Sequence, residues 1–173
     1  GLRAQLFDLD GDSSVVIQTE KAYGPVQLDM DAHSYLGCVV LSNNTAELSA
    51  VPHAMAFVLN WRRVVGRRQY GLRVANMLGV IMVYDSQYTK DACTAPPHVP
   101  KPVKNRTAIV VCQRTLQAAA DKRVLVRWVK VKGHSNEEGN DMADKLADYA
   151  QKGGAQNEQD IAMMMAGLQA TDD

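Results

Sequence analysis

The run Leu78-Gly79-Val80-Ile81-Met82-Val83-Tyr84 constrains the fold more than any other part of the chain. It is short and nearly continuously apolar, which marks a buried parallel strand, and it stops at Asp85. Val124-Leu125-Val126-Arg127-Trp128-Val129-Lys130-Val131 reads as the next strand. Helical patterns surround both. Asn43-Asn44-Thr45 opens one, with Leu48, Val51, Met55 and Val58 at helical spacing and an end shortly before Gly66. Pro52 falls inside it, at a cost of about 3 kcal/mol unless the helix bends, so a kink is expected. A short helical piece follows Asp85, and then a proline-rich loop from Thr94 to Pro102. Asn105 opens a helix with Ile109, Cys112, Leu116 and Ala119 on one side. Gly133-His134-Ser135-Asn136 turns into a last helix, about Glu137 to Gln151, closed by Gly153-Gly154.

The first 42 residues read as β. Ala4 to Phe7 and Val15 to Gln18 are strand-forming, with turn residues between them. An excursion from Gly24 to Gly37 leads to a further apolar run, Cys38-Val39-Val40-Leu41. Strands first, then helix, strand, helix, strand and helix, define an α/β domain with a mixed sheet. In such sheets, sites form beyond the carboxyl ends of the parallel strands, which singles out Asp85 and His134.

The chain is 173 residues long, enough for one domain with a real core, and we divide it into a domain at 1–152 and a polar tail at 153–173. The tail is apolar only at Ile161-Ala162-Met163-Met164-Met165 and reads as disordered or as a short docked helix. No apolar run reaches the roughly 20 residues of a membrane span, and the first residues lack the pattern of a secretory signal. Three cysteines without a close pair suggest neither a disulfide framework nor a zinc knuckle, so a reducing compartment, cytoplasm or nucleus, is expected. Net charge is zero, yet residues 61–132 hold 15 basic and 3 acidic side chains. A basic middle with acidic ends suggests a polyanionic partner, or else a solvated helix surface. With aromatics at 6%, a nucleic acid would be gripped by its backbone rather than stacked on a platform.

Each notable acid has an ordinary explanation. Glu47 lies three residues after Asn44 and suits a capping box. Asp85 suits the N-cap of the helical piece that follows. His134 suits a hydrogen-bonded turn, and Asp144 suits pairing with Lys145 or Lys152 or with the helix dipole. Their conjunction carries more. Acids at a helix start, a strand end and a C-terminal helix can converge on one sheet edge, where together they require a hard divalent cation.

The order of motifs resembles type 1 ribonuclease H (ribonuclease HI): Asn43-Asn44-Thr45-Ala46-Glu47-Leu48, Tyr84-Asp85-Ser86-Gln87-Tyr88, Val131-Lys132-Gly133-His134-Ser135, then Gly139-Asn140-Asp141-Met142-Ala143-Asp144-Lys145-Leu146-Ala147. Each motif alone is weak; four in order are strong. The resemblance spans Gly1 to Gln151. It implies a five-stranded mixed sheet of order 3-2-1-4-5 flanked by helices. It also implies endonucleolytic hydrolysis of the RNA strand of RNA–DNA hybrids, leaving 3′-hydroxyl and 5′-phosphate ends. Glu47, Asp85 and Asp144 match the metal-binding carboxylates, for two Mg²⁺ ions or Mn²⁺, and His134 matches the residue that assists proton transfer. Asp141 occupies a neighbouring, non-ligand position. Asn44, Gln87 and Asn105 match positions that touch the hybrid.

Two registers fit the N-terminus. In one, strand one ends at Asp10-Gly11 and Asp10 is the family's fourth carboxylate, without its usual glycine-rich turn. In the other, which we favour, Gly1 to Asp8 is already strand two, Asp10-Gly11 is a hairpin turn, and the first strand and one metal ligand are missing. Pro52 and the long Glu47–Asp85 separation also depart from the pattern. The latter carries Arg62-Arg63 and Arg67-Arg68, read as solvated surface before nucleic-acid contact. The reading adopted is a Mg²⁺-dependent ribonuclease H, expected as a monomer or as one domain of a longer polypeptide such as a retroelement polyprotein. The alternative is a non-catalytic nucleic-acid-binding module of the same fold with an incomplete metal site. Junction-resolving and transposing nucleases share related folds, but the Gly-His-Ser and Asp-Ser-Gln-Tyr motifs favour the ribonuclease.

Overall fold

The computed structural model describes residues 2–10, 13–22, 24–32, 35–61, 79–96, 104–133 and 138–151. In chain order the elements are β1 (Leu2–Asp10), β2 (Ser13–Ala22), α1 (Asn43–Trp61), β3 (Gly79–Tyr84), α2 (Gln87–Thr94), α3 (Arg106–Asp121), β4 (Leu125–Lys130) and α4 (Glu138–Gln151). The arginine pairs at 62–63 and 67–68, the middle of the proline-rich loop, His134 and the tail lie outside the described residues.

The architecture is α/β. Among the described residues the strands form two pairs rather than five joined strands. β1 and β2 are antiparallel from Leu2↔Ala22 to Asp10↔Ser13, with a register shift between Leu6 and Phe7. They are longer than the sequence pattern indicates. β3 and β4 are parallel from Gly79↔Leu125 to Tyr84↔Lys130, and the Val131 N–H donates to the Tyr84 carbonyl at 2.8 Å, carrying the ladder one residue further. The expected burial of β3 holds for one face only. Val80, Met82 and Tyr84 are half-buried, whereas Ile81 is 67% exposed and Val83 54%. The nearly unbroken apolar run thus contains the period-2 alternation of a one-sided strand. On the covered face Tyr84 meets Trp128 edge-on, with ring centroids 5.7 Å apart.

Cys38 to Leu41 does not continue the β pattern. Cys38 is buried, Val39, Val40 and Leu41 are exposed, and the segment delivers the chain to the start of α1. Gly37 makes the turn possible with φ +82°, and a Cβ there would run into the Thr107 side chain of α3.

α1 runs unbroken through Pro52, which is fully buried. Proline lacks the N–H that would serve the carbonyl four residues back, so the Leu48 carbonyl loses its helical donor. The Cys112 thiol, reaching over from α3, donates to that carbonyl at 3.2 Å. A side chain 64 residues away thereby repairs the helix.

The core follows the expected helical spacing. Leu48, Val51 and Met55 of α1 and Ile109, Cys112 and Ala119 of α3 are buried, and Leu116 packs against them half-buried. Leu59 is buried as well, while Val58 is only partly so. The three cysteines, far apart in sequence, meet in this core as free thiols. A hydrogen bond with Cys93, then burial, pushes the Cys112 thiol pKa far above the usual range, which keeps it protonated and inert.

α3 ends in a Schellman motif. Arg123 takes the left-handed conformation at φ 60°, the Val124 N–H reaches the Ala119 carbonyl at 2.9 Å, and the Arg123 N–H reaches Ala120 at 2.8 Å. Ala119 and Val124 pack together in the core, the apolar contact that accompanies this motif. α3 lies against α1, α2 and β4, and β1 lies against α4 and α1.

Candidate active site

Two of the ordinary explanations for the acids are removed by the way the helices begin. At the start of α1 the reciprocal cap is made by Ser42 and Thr45. The Ser42 hydroxyl accepts from the Thr45 N–H at 3.2 Å, and the Thr45 hydroxyl accepts from the Ser42 N–H at 2.9 Å. The Asn44–Glu47 capping box expected from spacing is therefore displaced by one formed two residues earlier. At the start of α2 the N-cap is Ser86, whose hydroxyl accepts from the Thr89 N–H at 3.3 Å. Asp85, one residue further out, is not the cap.

Both carboxylates meet other elements instead. Glu47 is half-buried, and its Oε2 accepts a hydrogen bond from the Thr89 hydroxyl of α2 at 3.0 Å. Asp85 is half-buried at the carboxyl end of β3. A Cβ placed on Gly133, just past the end of β4, would stand 3.3 Å from Asp85 Oδ2. A side chain there would press on the carboxylate unless it gave way by a few tenths of an ångström. The parallel pairing of β3 and β4 brings these neighbours to one sheet end, with α2 springing from the same place.

Asp144 sits half-buried on α4. His134 follows Gly133 directly in the chain but lies outside the described residues, and so does the Asp10 side chain. Among the described residues no three His, Cys, Asp or Glu side chains form a group that could hold a metal ion. The donor chemistry of Glu47 and Asp85, carboxylate oxygen only, nevertheless fits a hard divalent cation.

Of the positions expected to touch nucleic acid, Asn44 is exposed in the first turn of α1. Gln87 is exposed and its amide is oriented from both sides: Oε1 accepts from Lys130 at 3.0 Å and Nε2 donates to Asp91 at 2.8 Å. Asn105 is buried. It precedes α3 in the left-handed conformation at φ 63° without capping it through its side chain, and its Nδ2 donates to the Tyr88 hydroxyl at 3.3 Å.

Sequence reasoning missed Thr89, Lys130 and the Ser42–Thr45 cap. Ser42-x-x-Thr45 carried a visible signal, since a hydroxyl before a helix start is a strong cap. Thr89 and Lys130 carried none, because their partners are 42 and 43 residues away.

An α/β domain whose parallel strand ends on an acid, with a second acid from the preceding helix bonded to the helix that follows that strand, belongs to the class that places its chemistry at the carboxyl edge of a sheet. The RNase H family model matches residues 10–152, and the chain belongs to the RNase H family. Neither a curated protein nor a solved structure matches it. Membership places the chain among ribonuclease H-type nucleases, a family that binds RNA–DNA hybrids and generally uses divalent metal ions. No helix among the described residues is long and apolar enough to cross a membrane.

Proposed function

We propose that this chain hydrolyses the RNA strand of RNA–DNA hybrids as a metal-dependent endonuclease, with Glu47, Asp85 and Asp144 as metal-holding carboxylates. The observation that carries the reading is that neither Glu47 nor Asp85 is spent on capping a helix, while Asp85 lies at the end of β3 and Glu47 reaches α2, the helix that follows it. When bound there, two Mg²⁺ or Mn²⁺ ions supply activation of the attacking water and stabilisation of the leaving 3′-oxygen. The chain's own residues do the rest. His134 moves a proton as the product departs. Asn44 and Gln87 hold the hybrid through amide contacts to 2′-hydroxyls, bases or phosphates, and the 2′-hydroxyl distinguishes the RNA strand. Asn105 acts through the Tyr88 hydroxyl that it engages.

The test is incubation of the 173-residue chain with a labelled RNA–DNA hybrid in Mg²⁺ and then in EDTA, with double-stranded RNA and double-stranded DNA as controls. Metal-dependent cutting of RNA in the hybrid alone is expected. A folded chain that binds the hybrid without cutting it would instead be a binding module with an incomplete metal site.

A further inference from the structure

We propose that Thr89 is a positioning residue for Glu47: its hydroxyl fixes the rotation of the carboxylate, so that the oxygen it does not engage is held for the divalent cation. The inference rests on the metal-binding reading of Glu47 above. Thr89 is 4% exposed, and a hydroxyl so deeply buried is costly unless it is hydrogen-bonded. It donates to Glu47 Oε2 at 3.0 Å. Valine has nearly the same shape and would fill the same place without that cost, so the hydroxyl marks a requirement other than packing.

The donor is itself rigid. Thr89 is β-branched, with few side-chain rotamers, and its N–H is tied to the Ser86 hydroxyl. α2 is in turn anchored on α3, where Gln113 Nε2 donates to the Ala92 carbonyl at 2.8 Å and Cys93 is buried among the core residues. The acceptor is the opposite. A glutamate's terminal torsion is broad, so a half-buried Glu47 left alone would sample many carboxylate orientations. A fixed hydroxyl on one oxygen narrows them to one, as hydrogen-bonding partners outside a ligand set commonly do.

The test compares Thr89→Val, Thr89→Ser and Glu47→Gln with the parent chain. Binding of Mg²⁺ alone is read by NMR titration of the free protein, and hybrid binding is read in EDTA. Thr89→Val is expected to weaken Mg²⁺ binding about tenfold and Thr89→Ser to restore it to within about twofold, in the range typical of partners outside the ligand set. Melting temperature and hybrid binding in EDTA should be unchanged in both. Mg²⁺ binding by Thr89→Val equal to the parent, with Glu47→Gln defective, overturns the positioning role and leaves the metal site standing. Failure of Thr89→Ser to restore binding also overturns it, because packing of the methyl group would then be responsible. Undiminished Mg²⁺ binding by Glu47→Gln overturns both readings.

Discussion

One turn of α1 serves two regions with opposite demands. Towards the core, Leu48 packs with Cys112 and Ile109, Pro52 is fully buried, and the one backbone carbonyl that proline leaves unserved is taken by a thiol. Towards the sheet end, Glu47 reaches another element, where a hydroxyl engages one carboxylate oxygen. In the core that open carbonyl is served from within. At the sheet end Glu47 is engaged through one oxygen, and both it and Asp85 stay half-buried. Substitutions in the first region should therefore be read in stability, and those in the second in chemistry.

The sharpest way to break this contrast is Asp85→Asn. It keeps size and shape at the end of β3 and removes the charge. Cleavage of the hybrid should fall on the order of 10³-fold, as expected when several kcal/mol of metal-derived stabilisation is lost, while the melting temperature holds. Comparable loss of stability would place Asp85 with the structural groups instead.

Gly37→Ala should do the reverse. The new methyl meets the Thr107 side chain, and φ +82° is strained for any other residue. Left-handed strain plus overpacking should cost about 3 kcal/mol in urea unfolding. If a stabilising mutation elsewhere restores the fold, Mg²⁺ binding should return with it.

How far these roles could be read from sequence depends on distance along the chain. The helical spacing of Leu48, Val51 and Met55 marks a core face directly, because period and burial are set by the same local geometry. The runs that became β3 and β4 were legible for the same reason. The segment Cys38 to Leu41 was not, since four apolar residues cannot say whether they pair or pass over a helix start. Glu47 and Asp85 stood out through their motifs, yet their release from capping could not be read. Asn44-x-x-Glu47 and Ser42-x-x-Thr45 both satisfy the capping pattern, and only the position of the first helical turn decides between them. The hydrogen bonds of Thr89 and Cys112 were invisible because each answers a need created in α1 by a residue far away.

The repair of α1 offers a finer probe. Cys112→Ala removes the donor to the Leu48 carbonyl and leaves a small void, which should cost about 2 kcal/mol. Pro52→Ala supplies an N–H that can serve the same carbonyl. In the double variant the loss on removing Cys112 should shrink, so a double-mutant cycle should give a coupling of about 1 kcal/mol. Strict additivity would mean that the thiol contact does not compensate for the proline.

The smallest expected effect lies at His53. It follows Pro52 on α1, and its Nδ1 is buried without a hydrogen-bond partner among the described residues. Burial lowers its pKa below the usual 6.5, so the folded chain holds it neutral. The unfolded chain takes up a proton near 6.5, and the folded chain does so only at lower pH. The stabilising contribution is therefore fully present above the unfolded pKa and is lost as pH falls towards the folded one, with a slope of at most about 1.4 kcal/mol per pH unit. Urea unfolding at pH 7.5 and pH 5 should show a larger loss for the parent chain than for His53→Gln, which cannot titrate. Equal losses would mean that His53 reaches solvent in the folded state and that the dry side of α1 ends before it.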